Sequence, residues 1–132
     1  MTPSCNLLIH IVFRDQTKAV INSYPSTKKS QIENQITTTL CEIKTNPTYG
    51  ARFKYITNEK LKGAIRKTYV GGKGGHRLIY IYNPQNNLII PVHLTSELRR
   101  DIDYRKTLWE KITDQIYNDY INKKYDKFVN WK

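Results

Sequence analysis

Acidic side chains are scarce in this chain, and the shortage is concentrated in one place. The 132 residues hold 22 Lys and Arg against 11 Asp and Glu, for a formal net charge of +11, and no carboxylate side chain lies between Glu59 and Glu97. Cysteine is rarer still. Cys5 and Cys41 stand alone, without the close spacing of a zinc site and too few for a disulfide framework. They read as packing residues in a protein of the reducing cytoplasm. Long apolar runs are also missing. The longest early stretch, LLIHIVF (7–13), is interrupted by His10 and falls far short of the ~20 residues that span a bilayer. It lacks the basic leader and small-residue cleavage site of a signal peptide, so no membrane partner is expected. The apolar fraction of 39% is that of a folding chain rather than a disordered one, and the length fits one domain with a modest core.

What is present is a localised positive charge. Residues 47–77 contain Arg52, Lys54, Lys60, Lys62, Arg66, Lys67, Lys73 and Arg77 against the single acid Glu59, whereas 1–46 and 97–132 each carry a net charge of only +2. Such a cluster repels itself unless a polyanion meets it, which points to nucleic acid. The plainer alternative is a solvated basic face that keeps the chain in solution.

The pattern of residues predicts an α+β domain. NLLIHIVF (6–13) is apolar and β-branched enough for a first strand. RDQTKAVINSY (14–24) reads as a short helix stopped by Pro25. Ser26 or Ser30 can cap a second helix running to about Lys44, with Ile32, Ile36, Leu40 and Ile43 on one stripe, and Asn46-Pro47 closes it. ARFKYI (51–56) is ambiguous between loop and strand. AIRKTYV (64–70), HRLIYIY (76–82) and LIIPVHL (88–94) read as an antiparallel meander, with NPQNN (83–87) as its second turn. Pro91 cannot donate to a ladder, so its strand lies on an edge or at a bulge. Leu98, Ile102, Trp109, Ile112, Ile116 and Tyr120 recur at helical spacing and predict a C-terminal helix or helix pair over about 96–125, a helical extension of the one domain spanning 1–132.

YVGGKGGHRLIYIY (69–82) carries the chemistry. GGKGG is not a phosphate-binding loop of the nucleotide-hydrolase type, because Gly74 follows Lys73 where Ser or Thr is needed, and a strand follows rather than a helix. Its glycines read as a hairpin loop between two strands. Alternation puts Ile65, Lys67 and Tyr69 on one face of their strand and Arg66 and Thr68 on the other. Arg77 goes with Ile79 and Ile81, and His76 with Leu78, Tyr80 and Tyr82. A permanently charged guanidinium beside strand isoleucines needs an anion, either a phosphate or a carboxylate brought close by folding.

Residues 61–104, LKGAIRKTYVGGKGGHRLIYIYNPQNNLIIPVHLTSELRRDIDY, resemble the C-terminal half of the RelE/ParE toxin superfamily. The likeness rests on the LKG turn, a basic strand, the GHRLIYIY strand with His76 in place of the usual aromatic, and a hydrophobic strand followed by a basic patch. NPTYG (46–50) resembles the loop after the family's second helix. The resemblance implies the toxin of a type II toxin–antitoxin pair, a cytoplasmic, metal-independent endoribonuclease without cofactor. It would cut ribosome-bound mRNA by attack of the 2′-OH on the adjacent phosphate, with a cognate antitoxin as protein partner. Position by position, Arg77 matches the family arginine that holds the scissile phosphate, and Arg66 or Lys67 falls where the family keeps catalytic lysines. The patch after the last strand maps onto Arg99 or Arg100, and Tyr104 onto a terminal tyrosine. Leu98 and Glu97 depart from the pattern, since basic residues are common there, and the tail is longer than in typical members. Lys54, Lys60, Lys62 and Lys73 are the expected backbone contacts to RNA.

His93, with an unperturbed pKa near 6.5, is a further candidate base or RNA contact. Its plainer reading is a structural histidine, and His10 and His76 read the same way. Two other functions share these features: a ParE-like gyrase inhibitor that works by contact, and a non-catalytic nucleic-acid-binding module.

Overall fold

The computed structural model of the chain describes residues 5–52, 59–61, 63–71, 75–95 and 109–131. It is an α+β arrangement. Strands β1 (Asn6–Leu7) and β2 (Ile9–His10) lead into helices α1 (Ile11–Asn22) and α2 (Ser26–Thr45). Strands β3 (Ala51–Arg52), β4 (Ile65–Val70), β5 (His76–Asn83) and β6 (Leu88–Leu94) follow, then α3 (Trp109–Ile121) and β7 (Phe128–Val129). The main sheet has the order β1-β6-β5-β4-β3. Its β3–β6 strands are antiparallel neighbours, while β1 joins β6 in parallel, so the sheet as a whole is mixed.

The meander forms where alternation and turn residues place it. β5 lies at the centre with β6 beside it, and Ile79, Ile81, Ile89 and Ile90 are buried. Pro91 sits at a bulge: Ile79 pairs with His93 and Tyr80 with Pro91, leaving Val92 as the extra residue. The irregularity lets a residue without an N–H occupy an internal strand. α2 buries Ile36, Leu40 and Ile43 as their spacing predicts, and Ile32 is half-buried. Its first turn begins at Ser26 with Pro25 in the cap position and no side-chain capping bond, so neither Ser26 nor Ser30 caps it.

Three expectations are corrected. The first strand does not run to Phe13, because α1 starts at Ile11. His10 is the reason: its Nδ1 accepts the Val12 N–H at 3.0 Å, a side-chain cap that turns the chain into a helix despite its β-branched residues. The other nitrogen of that ring donates to Asp119 Oδ2 at 2.7 Å, tying α3 to the start of α1. The C-terminal helix, in its described part, ends at Ile121 rather than near Tyr125, and Lys123 adopts a left-handed φ of 59°. A 3-10 turn (Tyr125–Lys127) and β7 follow, with β7 pairing antiparallel to β2. Trp131 then donates its indole N–H to Thr37 Oγ1 at 2.9 Å and packs against Phe13. Leu98 and Ile102 lie outside the described residues. Third, Cys41 is exposed, whereas Cys5 is buried and donates to Asn87 Oδ1.

One side chain completes the sheet. Gln16 on α1 donates its amide N–H to the Leu94 carbonyl at 2.5 Å and accepts the Leu94 N–H at 3.0 Å. It stands in for a neighbouring strand at the end of β6, where both backbone groups would otherwise lack partners.

Candidate nucleic-acid interface

The register of β4 on β5 decides which basic residues meet. Tyr69 pairs with Arg77, Lys67 with Ile79 and Arg66 with Tyr80. Directly opposed side chains share a face, so Lys67, Tyr69 and Arg77 stand together and Arg66 stands on the reverse. Arg66 is occupied there: its guanidinium donates to the Gly50 carbonyl at 2.5 Å. The register thus puts Lys67, and not Arg66, on the face of Arg77. The Arg77 guanidinium lies 5.5 Å from the centre of the Tyr69 ring, a cation–π distance that fixes its direction over the sheet.

The backbone of Arg77 is clamped. Its N–H donates to Thr95 Oγ1 at 2.8 Å, and its carbonyl accepts the Thr95 N–H at 2.9 Å. Next to it, His76 Nδ1 donates to the Thr95 carbonyl at 2.6 Å. The other nitrogen of His76 then accepts from the Tyr24 hydroxyl, in the turn between α1 and α2. His76 is therefore a satisfied structural histidine, as is His10. The Tyr24–His76–Thr95 chain holds the strand ends that carry Arg77.

The reverse face is built around Tyr80, which is fully buried. Its hydroxyl donates to the Pro47 carbonyl at 2.7 Å and accepts the Gly50 N–H at 3.2 Å, pinning the NPTYG loop to the sheet. Burial pushes the Tyr80 hydroxyl above its ordinary pKa, against smaller opposing effects from the Gly50 bond and the Arg66 charge.

His93 shares a face with Lys67 and Arg77 through Ile79. It is 5% exposed, and Nδ1 is buried without a hydrogen-bond partner. Desolvation lowers its pKa from 6.5 to about 4. The RNA contact expected of His93 is thus corrected: the ring is buried in the sheet and neutral at pH 7. Lys60 is exposed on the 3-10 turn Glu59–Leu61. Lys54, Lys62, Lys73, Arg99, Arg100 and Tyr104 lie outside the described residues.

Tyr69 and Thr95 are the site residues that sequence reasoning passed over. Tyr69 was signalled by its two-residue spacing from Lys67; Thr95 had no local signal, because its role depends on the β5–β6 pairing. Among the described residues no group of three or more His, Cys, Asp or Glu side chains gathers to hold a metal ion, and no helix is long and apolar enough to cross a membrane. Comparison with protein-family models, with characterised proteins and with solved structures returns no match.

Proposed function

We propose that the chain is an RNA-binding toxin of the RelE-like kind that cuts message by 2′-OH attack. The observation that supports it most is the shared face of Lys67, Tyr69 and Arg77 at one end of the sheet. In this reading Arg77 grips the scissile phosphate with its planar fork, which matches two phosphate oxygens. The 2′-oxygen forms a bond to phosphorus and the P–O5′ bond breaks, leaving a 2′,3′-cyclic phosphate and a 5′-hydroxyl. Negative charge accumulates on the phosphorane, and two cations aimed at it lower the barrier. Arg77 cannot accept the 2′-OH proton, because a guanidinium stays protonated, so that proton passes to solvent water. Lys67 provides the second cation and a proton for the departing O5′. By the resemblance, Arg100 and Tyr104 complete the set, and an antitoxin is the protein partner.

A second reading, a ParE-like or purely binding protein of the same architecture, is favoured by one observation. His93, the histidine on this face, is buried and neutral and so poorly placed to exchange protons with a substrate. Purified chain added to a translating extract discriminates between the two. The endonuclease reading expects cleavage of message within its coding region, lost with Arg77→Ala. Intact message together with growth arrest on expression would support the second reading and sink the first.

A further inference from the structure

A groove of about 1150 Å³ runs between α2 and β4. It lies near the upper end of the ~300–1,000 Å³ of a small-molecule cleft. We propose that this groove is a single-stranded RNA subsite that receives the nucleotides next to the phosphate at Arg77; the inference rests on the reading of the chain as an RNA-binding toxin.

The lining chemistry chooses the occupant. One wall is a stripe of α2 in which Gln31, Asn34, Gln35 and Thr38 follow one another at helical spacing. The buried stripe of the same helix runs through Ile36, Leu40 and Ile43. Among the described residues, no Leu, Ile, Val, Phe or Met lines the groove. An amphipathic helix from a protein partner packs its apolar residues against large apolar side chains, and the described lining residues offer none. Amides and hydroxyls instead match the donors and acceptors on unpaired base edges, where Asn and Gln are the side chains that bond two atoms at once. The opposite wall offers Tyr49, 59% exposed, as a ring on which a base can stack.

Continuity ties the groove to the phosphate site. Lys67 and Tyr69 line it and also belong to the sheet face of Arg77, with the Tyr69 ring 5.5 Å from the Arg77 guanidinium. A strand held at Arg77 has the groove as its next surface.

Two glycines allow close approach, Gly50 of its loop to β4 and Gly71 of the end of β4 to α2. A Cβ on Gly50 would meet the Lys67 carbonyl oxygen at 2.5 Å, and one on Gly71, whose φ is +79°, would meet Gln35 Oε1 at 2.9 Å. Among the described residues Glu42 and Lys67 are the charged members of the lining, so these add recognition of bases and little net attraction for phosphates.

The test is fluorescence anisotropy with a labelled RNA of roughly 12 nucleotides, a length that reaches beyond one phosphate, fully 2′-O-methylated so that it cannot be cut. Tyr49→Ala, and separately Gln31→Ala with Asn34→Ala, are expected to raise Kd about tenfold each. The slope of log Kd against log salt should not change in either variant. Arg77→Ala, which removes a phosphate contact, should weaken binding and reduce that slope by about 0.7. Tyr49→Trp should restore affinity, which separates lost stacking from lost folding. Groove variants that bind like the parent while Arg77→Ala binds weakly would overturn the subsite and leave the functional reading intact. A parent chain that does not bind the RNA would overturn the functional reading and the subsite with it. Groove variants that keep full RNA affinity but escape neutralisation by a protein partner would reassign the groove to that partner.

Discussion

Acid should unfold this protein partly through His93, and the size of the effect follows from where the ring sits. His93 is 5% exposed, opposite Ile79 and two strands from Lys67, with burial lowering its pKa from 6.5 to about 4. In the unfolded chain the imidazole takes up a proton as pH falls through 6.5; in the folded chain it does not until about pH 4. The unfolded state therefore binds more protons across that window, and stability must rise with pH from about 4 to 6.5 and fall on acidification. At ~1.4 kcal/mol per pKa unit, the full contribution is about 3 kcal/mol. Urea unfolding of the parent and of His93→Leu at pH 7 and at pH 4.5 isolates this contribution, since the other titrating groups are common to both proteins. Leu is close to His in size, and Nδ1 has no hydrogen-bond partner to lose. The parent should lose about 2 kcal/mol more than His93→Leu over that range, with m-values unchanged. Equal losses in the two proteins would refute the reasoning, since they would mean that His93 takes up its proton as readily folded as unfolded.

Other outcomes follow from the same contacts. Gln16→Ala leaves the N–H and carbonyl of buried Leu94 without partners. At ~1–3 kcal/mol per orphaned group it should destabilise by about 2–6 kcal/mol in calorimetry or urea titration. Gly50→Ala forces a methyl against the Lys67 carbonyl and the Tyr80 hydroxyl. It should displace the 46–50 loop and destabilise by about 1–3 kcal/mol, the range of overpacking. Tyr80→Phe should destabilise by about 1–3 kcal/mol, because it leaves the Pro47 carbonyl and the Gly50 N–H without the hydroxyl they share.

The parts of the fold legible in the sequence were those written locally. α2 lies between Pro25 and Asn46-Pro47 with its apolar stripe intact, and the β4–β6 meander announces itself by β-branched residues and turn residues. Pro91 called for an edge or a bulge, and a bulge is what forms. What escaped depends on partners distant in the chain. Nothing near Phe128 says that it will pair with His10, and nothing near His10 says that its ring will cap a helix and hold Asp119. The candidate site divides in the same way. Alternation separated Lys67 from Arg66, but only the β4–β5 register shows which of them stands with Arg77. The amide stripe of α2 looks like an ordinary solvated helix face until β4 is set across from it. The charge pattern, by contrast, needed no structure, because like charges accumulate over 47–77 whichever way the chain folds.

The most direct test of the central claim sets Arg77 against Arg66, two arginines eleven residues apart in sequence and on opposite faces of the sheet. Message in a translating extract to which purified chain is added should yield fragments ending in 2′,3′-cyclic phosphate and beginning with 5′-hydroxyl. Arg66→Gln, provided it folds, should cut at close to the parental rate, while Arg77→Ala should lose at least a hundredfold, as removal of a group stabilising a developing charge does. Cleavage that survives Arg77→Ala, or that fails equally in both variants when both are folded, would contradict the account.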